Sequence, residues 1–308
     1  MSSLFAFPGQ GAQRAGMLHE LADTPTVRAC LEEASEALGE PVLHLDSAQA
    51  LADTRAVQLC LLVMGVAQAR LLLEDNPAPE YVSGLSIGAY PAAVVAGALG
   101  YADAVRLVAK RGELMQRAYP EGYGMTAILG LDRTTVERLI EASPAPVFLA
   151  NVNADNQHVI AGSDSAMAAC VTRALALGAS AAKRLTMSVP SHCALLDAPA
   201  RELAKAFAEV PIKRPTLGYL SSTCARLLHD PQALRDDLAF NMCRTVDWYA
   251  TLRNAHERGV RLLVELPPGV VLSGLARRVF NSGTVVACQG TRRDTLNALM
   301  RREVSSDP

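Results

Sequence analysis

The hydrophobic period of the chain changes several times, and the changes mark its elements. Residues 3–7 ("SLFAF") are a short apolar run that ends at a proline and a glycine-rich loop, the pattern of a first strand. Helical spacing of apolar positions follows to about residue 75. The stretch "EYVSGLS" (80–86) reads as a strand, "AAVVAGAL" (92–99) as a buried helix, and "YADAVRLVAKRGELMQRA" (101–118) as an amphipathic helix stopped by "YPEGYG". Strands alternating with helices predict an α/β fold with a mostly parallel sheet covered on both faces.

The pattern then changes. "MTAILGL" (125–131) reads as a strand, 133–143 as a helix, and 147–162 as two strands joined by an Asn/Asp turn. A helix over 165–178 and a strand over 181–189 follow. This order is β-α-β-β-α-β, the ferredoxin-like arrangement. It predicts a small domain over 125–190 inserted into a larger core made of 1–124 and 191–308. The main pattern resumes with a helix over about 194–209 and strands at 217–222 and 262–269, and the end, 301–308, is expected to fray.

Composition narrows the function. Half of the 308 residues are hydrophobic and 19% are charged, enough for a sizeable core, and a formal net charge of -2 gives no reason to expect nucleic acid. No polybasic cluster suggests a membrane surface. The N-terminus lacks a positive region and breaks at Pro8, so no signal peptide is expected, and the apolar runs 59–67 and 92–102 fall short of the ~20 residues a bilayer needs. Seven cysteines without a C-x-x-C are expected to be free thiols in a reducing cytoplasm. No metal-ligand spacing, dinucleotide fingerprint or P-loop is present, so no metal or bound cofactor is expected.

"GLSIG" (84–88) is a G-x-S-x-G pattern between a strand and an apolar helix, the context of a nucleophile elbow. The alternative is an ordinary glycine-flanked turn. Pro91 is a misfit, about one turn into the following helix. A serine nucleophile needs a base. Of six histidines, His192 stands out: "MSVPSHCALL" ends a strand, breaks at Pro190 and starts a helix near Ser191. A helix N-terminus would keep that imidazole neutral and able to accept a proton. No acidic third partner is evident, and Asp197 lies too far along the same helix.

Arg111 falls on or beside the apolar stripe of Ala104, Leu107, Val108, Leu114 and Met115. Charged residues are rarely buried unless paired. Arg111 is therefore either a snorkelling or ion-paired structural residue, or a receptor whose guanidinium fork takes a carboxylate. Gly112 beside it leaves room for a close approach.

Taken together, "FPGQGAQ" (7–13), "GLSIGAY" (84–90), "RGELMQRAYPEGYGMTAILGL" (111–131), "NVNADNQHVIAG" (151–162), "SVPSHCALL" (188–196) and "VELPPGVVLSGLARR" (264–278) resemble the malonyl-CoA:acyl carrier protein transacylase family over nearly the whole chain. The resemblance implies an α/β-hydrolase-like core with a ferredoxin-like insert. It implies Ser86 as nucleophile, His192 as base, the backbone N–H groups of Gln10 and Ile87 as oxyanion hole, and Arg111 as the partner of the acyl carboxylate. It also implies that a main-chain carbonyl, at Asn241, orients the histidine, and that Gln58 and Asn153 line the pocket. Malonyl-CoA would be the substrate, and the prosthetic-group thiol of an acyl carrier protein the acceptor.

Departures refine the resemblance. Leu85 stands where fatty-acid-synthesis members carry histidine, with Ile87 and Ala89 following, and Pro267, Pro268 and Gly269 stand where they read G-P-G. "GLSIGAYPAAV" and "ELPPGVVLSGLA" are most similar to the malonyltransferase (epsilon, MdcH-type) subunit family of biotin-independent malonate decarboxylase. That points to the malonate decarboxylase carrier subunit as partner. The alternatives are a transacylase of fatty-acid or polyketide synthesis and a serine thioesterase.

Overall fold

The computed structural model describes residues 2–304. Its strands are, in chain order, β1 (Ser2–Phe7), β2 (Tyr81–Gly84), β3 (Tyr123–Leu129), β4 (Val147–Ala154), β5 (Gln157–Ser163), β6 (Ala181–Arg184), β7 (Gly218–Leu220), β8 (Leu227–Leu228), β9 (Val246–Asp247), β10 (Val260–Glu265) and β11 (Thr284–Ala287). One sheet runs β11-β10-β1-β2-β7-β8 and is parallel except for the closing β7–β8 hairpin. Nonlocal parallel neighbours such as β1 and β10 require the intervening chain to pack over the faces as helices. The fold is α/β with a mostly parallel sheet.

The second sheet runs β6-β3-β5-β4-β9. Its first four strands are antiparallel, and β9, from the C-terminal part of the chain, adds in parallel to β4. The helices Arg133–Glu141 and Asp164–Ala176 bury Val136, Leu139, Met167 and Cys170 in one core with Ile128 and Ile160 of this sheet.

The helix Thr54–Leu73 begins at Asp53, whose carboxylate accepts the free N–H groups of Arg55 and Ala56. It is apolar on nearly all faces because it is buried on nearly all faces, and it packs against Tyr101–Ala118. Its length and composition would suffice to cross a bilayer, but 83% of its apolar window is buried inside the molecule. The runs read from the sequence underestimate it. Gly112 lies where any side chain would strike the Arg55 backbone, so the absence of a Cβ sets how closely these two helices approach.

Several boundaries differ from expectation. The strand expected over 181–189 stops at Arg184. The Arg184 guanidinium donates to the carbonyls of Tyr123, Met125 and Met187, and the Leu185 N–H still donates to Met125 O at 2.9 Å beyond the end of the paired strand. The helix expected from about 194 is a 3-10 turn, Ala194–Leu196, followed by the helix Asp197–Ala208. Of the tail expected to fray, Arg301 and Arg302 belong to the helix Arg293–Val304, and 305–308 lie outside the described residues. The helices Pro231–Phe240 and Trp248–Glu257, not singled out by periodicity, carry the chain from the first sheet to β9 and back.

Candidate active site

β2 ends at Gly84, and Ser86 opens a 3-10 turn, Ser86–Gly88, that runs into the helix Ala89–Val95. The turn is too tight for side chains at its glycines. A Cβ on Gly84 would overlap the Gly88 carbonyl, and one on Gly88 would overlap the carbonyl of Phe7 at the end of β1. Ser86 has φ 57°, a left-handed conformation that costs a non-glycine residue energy and occurs where a fixed presentation is required. Pro91, the misfit, is the third residue of its helix, where its missing N–H is one of the groups a helix leaves free.

Met187 and Val189 lead into Pro190, and His192 also has a positive φ, 63°. His192 Nε2 lies 2.8 Å from Ser86 Oγ, across 106 residues of sequence. Its Nδ1 lies 2.9 Å from the Asn241 carbonyl and 3.2 Å from the Arg244 carbonyl, and its main-chain N–H donates to Met242 O at 2.6 Å. Carbonyls only accept, so Nδ1 carries the ring proton. In the neutral ring Nε2 is then a bare acceptor facing the serine hydroxyl. Burial first, then the Arg111 charge, pushes the imidazole down to about 4, against the smaller opposing effect of the two carbonyls.

The helix-terminus explanation for this neutral histidine is corrected: the helix begins only at Asp197, and desolvation does the work. Asp197 is likewise no orienting acid; it forms an ion pair with Arg201.

Arg111 is fully buried. Its Nη1 donates to Gln58 Oε1 at 2.6 Å, while Nη2 reaches Asn241 Oδ1 at 3.4 Å and Ser86 Oγ at 3.5 Å, and Nε has no partner among the described residues. It neither snorkels nor, among the described residues, pairs with a carboxylate. Burial lowers the guanidinium's affinity for its proton. One edge of the fork, Nε and Nη2, is thus left under-bonded a few ångströms from the serine oxygen. A buried cation in this condition is costly unless an anion joins it.

A cavity of about 240 Å³ opens over Ser86 and His192. The loop after β1 (Gly9, Gln10, Gly11), β3–β5 (Met125, Asn151, Asn153) and the short helix Val271–Ala276 form its walls. Gly9 sits directly against Leu85 and Ser86, and Gln10 lines the same cavity as the nucleophile. Asn153 is in the cavity lining; Gln58 is not, and bonds to Arg111. Ile87 is buried next to Ser86 at the start of the 3-10 turn.

The sequence reading missed the Arg244 carbonyl, Asn151 and Gln157. Asn151 and Asn153 share a strand face at spacing two, the one signal that could have paired them. Both carry a buried Oδ1 with no partner. Among the described residues no cluster of three or more His, Cys, Asp or Glu side chains could hold a metal ion.

An elbow serine, a buried neutral histidine with its tautomer fixed, and an adjoining cavity make a site for acyl transfer through a serine ester. Comparison with known proteins agrees. The family model "Acyl transferase domain" matches residues 4–306. The malonyl CoA-acyl carrier protein transacylase of Salmonella typhimurium is 38% identical over 92% of this chain and 94% of its own. The crystal structure of FabD from Acinetobacter baumannii superposes with a TM-score of 0.93 at 37% identity, covering 98% of this chain and 99% of the other. A malonyl-transacylase solved in complex with a type II PKS acyl-carrier protein, PlMCAT:AntF, superposes at 0.90 with 34% identity, covering 98% and 100%. The chain belongs to the acyl transferase family and is an acyltransferase.

Proposed function

We propose that this chain moves a malonyl group from malonyl-CoA to the prosthetic-group thiol of an acyl carrier protein through a malonyl ester on Ser86. The observation that carries the reading is Arg111: a buried guanidinium with no carboxylate partner among the described residues, an unpartnered Nε, and Nη2 3.5 Å from Ser86 Oγ. An acyl group that ends in a carboxylate supplies the missing anion. Relatives such as those of Salmonella typhimurium and Bacillus subtilis carry the name malonyl CoA-acyl carrier protein transacylase, which supports the same substrate.

In the first half-reaction Ser86 Oγ gives its proton to His192 Nε2 and bonds to the thioester carbonyl carbon. The tetrahedral oxyanion is held by the backbone N–H groups of Gln10 and Ile87. One such donor is typically worth ~3–4 kcal/mol of barrier. The C–S bond breaks, the thiolate takes the proton from His192, and CoA leaves. In the second half the carrier thiol gives its proton to His192 and attacks the ester; the C–O bond breaks and the proton returns to Ser86. The Asn241 and Arg244 carbonyls stabilise the imidazolium in place of a triad acid. The unpartnered Oδ1 atoms of Asn151 and Asn153 offer acceptors to the amide N–H groups of the thioester arm.

The acceptor is read as the carrier of fatty-acid or polyketide assembly, because the comparisons support that class rather than the malonate decarboxylase carrier expected from the sequence. The decarboxylase carrier keeps one observation in its favour: Leu85, which lines the cavity where the fatty-acid members carry histidine. Transfer assays with each purified carrier decide. The reading expects the fatty-acid carrier to be loaded faster; preferential loading of the decarboxylase carrier would reverse the assignment. Residues 125–190 are read as an inserted small domain, supported by the strand order β6-β3-β5-β4, with 1–124 and 191–308 as the core.

A further inference from the structure

We propose that Asp237 is a positioning residue for His192, fixing the main-chain carbonyls that hold the imidazole. The inference rests on the acyl-transfer reading of Ser86 and His192.

Among the described residues the His192 ring has no side-chain hydrogen-bond partner other than Ser86. Everything else that holds it is main chain from residues 241–244: the carbonyls of Asn241 and Arg244 on the ring, and that of Met242 on its own N–H. In a triad, a carboxylate bonded to the ring sets its tautomer and direction. Here that task falls to a short 3-10 turn, Asn241–Cys243, which can do it only if the turn itself is fixed. The turn continues the helix Pro231–Phe240, and Asp237 lies on that helix one turn before Asn241.

Asp237 is 3% exposed and accepts three side-chain hydroxyls: Ser221 at 2.7 Å, Tyr219 at 3.1 Å, and Thr223. All three donors belong to β7 or the turn after it. β7 pairs with β2, the strand that delivers the nucleophile, and that junction is bonded by side chains as well. Ser83 Oγ donates to Leu220 O, and Ser222 Oγ to Gly84 O, each at 2.8 Å. A continuous path therefore runs from the elbow through Gly84 and Ser222 to Ser221, Asp237 and the carbonyls on His192. Asp237 joins the frame that carries the nucleophile to the frame that carries the base.

The charged and titratable groups facing Asp237 are Tyr219, the Arg244 guanidinium and, more remotely, Tyr90. Tyr90 OH donates to Leu238 O at 3.0 Å and ties down the same helix. Burial raises the Asp237 carboxyl, and its hydroxyl donors and Arg244 oppose the rise.

The test compares wild type with Asp237→Ala, Asp237→Asn and Thr223→Val, using malonyl-CoA with a carrier as the kinetic probe. Ring ¹⁵N shifts of His192 give a readout that needs no substrate. Misplacing a reacting group by about 1 Å costs ~100-fold. Asp237→Ala is therefore expected to lower kcat by about 10- to 100-fold with KM for malonyl-CoA changed less than about threefold. Its ring shifts should show loss of the single Nδ1–H tautomer. Asp237→Asn, which keeps an acceptor and lets the hydroxyls rotate to serve the amide, should recover most of both. If Asp237→Ala does not fold, Thr223→Val should still move kcat and the ring shifts in the same direction by less. The inference is overturned if the folded variants lose thermal stability alone, with kcat and the wild-type tautomer kept. A wild type that forms no malonyl ester would instead remove the transfer reading, and the ring shifts would still decide the role of Asp237.

Discussion

Replacing Arg111 with alanine separates a substrate receptor from a structural cation. The guanidinium has one good bond, to Gln58, two long ones and an unpaired Nε. A malonyl carboxylate on the Nε–Nη2 edge would form two charge-assisted bonds, each worth ~1.5–3 kcal/mol net. Breaking a buried pair of this kind costs ~3–5 kcal/mol, or roughly two to three and a half orders of magnitude at ~1.4 kcal/mol per tenfold. Acetyl-CoA has no carboxylate to lose. Its transfer should change by only about threefold, because removing the arginine also relieves an unpaired buried charge. The assay is kcat/KM for Ser86 acylation with malonyl-CoA and with acetyl-CoA. Arg111→Lys keeps the charge without the fork and should fall between wild type and alanine. An equal loss for both acyl groups would refute the argument, and would mean that Arg111 only holds Ser86 and Asn241 in place.

The pH dependence follows from His192. Only the neutral ring accepts the serine proton, so kcat/KM for acylation should hold as pH falls below 6 and decline with an acid limb near the depressed value of about 4. In Arg111→Ala that limb should move up, since the arginine helps to depress it. Stability should follow the same group. Its folded value lies below the ordinary ~6.5, so the unfolded chain binds the proton first. Its contribution is full above about 6.5 and shrinks by ~3 kcal/mol as pH falls to about 4. Urea midpoints of wild type and His192→Gln across that range should converge toward the acid side. Gly84→Ala should cost at least ~1–3 kcal/mol from overlap with the Gly88 carbonyl and abolish acylation, whereas Gly274→Ala, with open space around it, should fold and react as wild type by thermal melt and acylation rate.

Local chemistry made much of the site legible. Strand, glycine, serine, glycine and apolar helix in a row mark an elbow, and a charged residue on an apolar stripe singles out Arg111, although the stripe leaves snorkelling and burial open and only the fold shows it buried. What local chemistry hides is nonlocal. The Asn241 carbonyl on His192 is implied by the family resemblance alone; nothing near His192 in sequence reveals it or the Arg244 carbonyl, about 50 residues away, so a helix terminus is the readiest local explanation for the neutral ring. The strand expected over 181–189 stops at Arg184, one residue before the Leu185 bond to β3, and β propensity carries no trace of where the pairing ends. The pocket position of Gln58 is implied by the family resemblance; its bond to Arg111, 53 residues away, leaves no trace in the local pattern. The strand β9 is two residues long, too short for any period to register.

The central claim is that Ser86 carries a malonyl ester. Protein mixed with malonyl-CoA, without carrier, should gain the mass of one malonyl group, mapped by peptide fragmentation to Ser86. It should lose that mass when a carrier with its thiol arm is added, and Ser86→Ala should gain none. Release of free malonate without a trapped ester, or an unchanged adduct in Ser86→Ala, would contradict it.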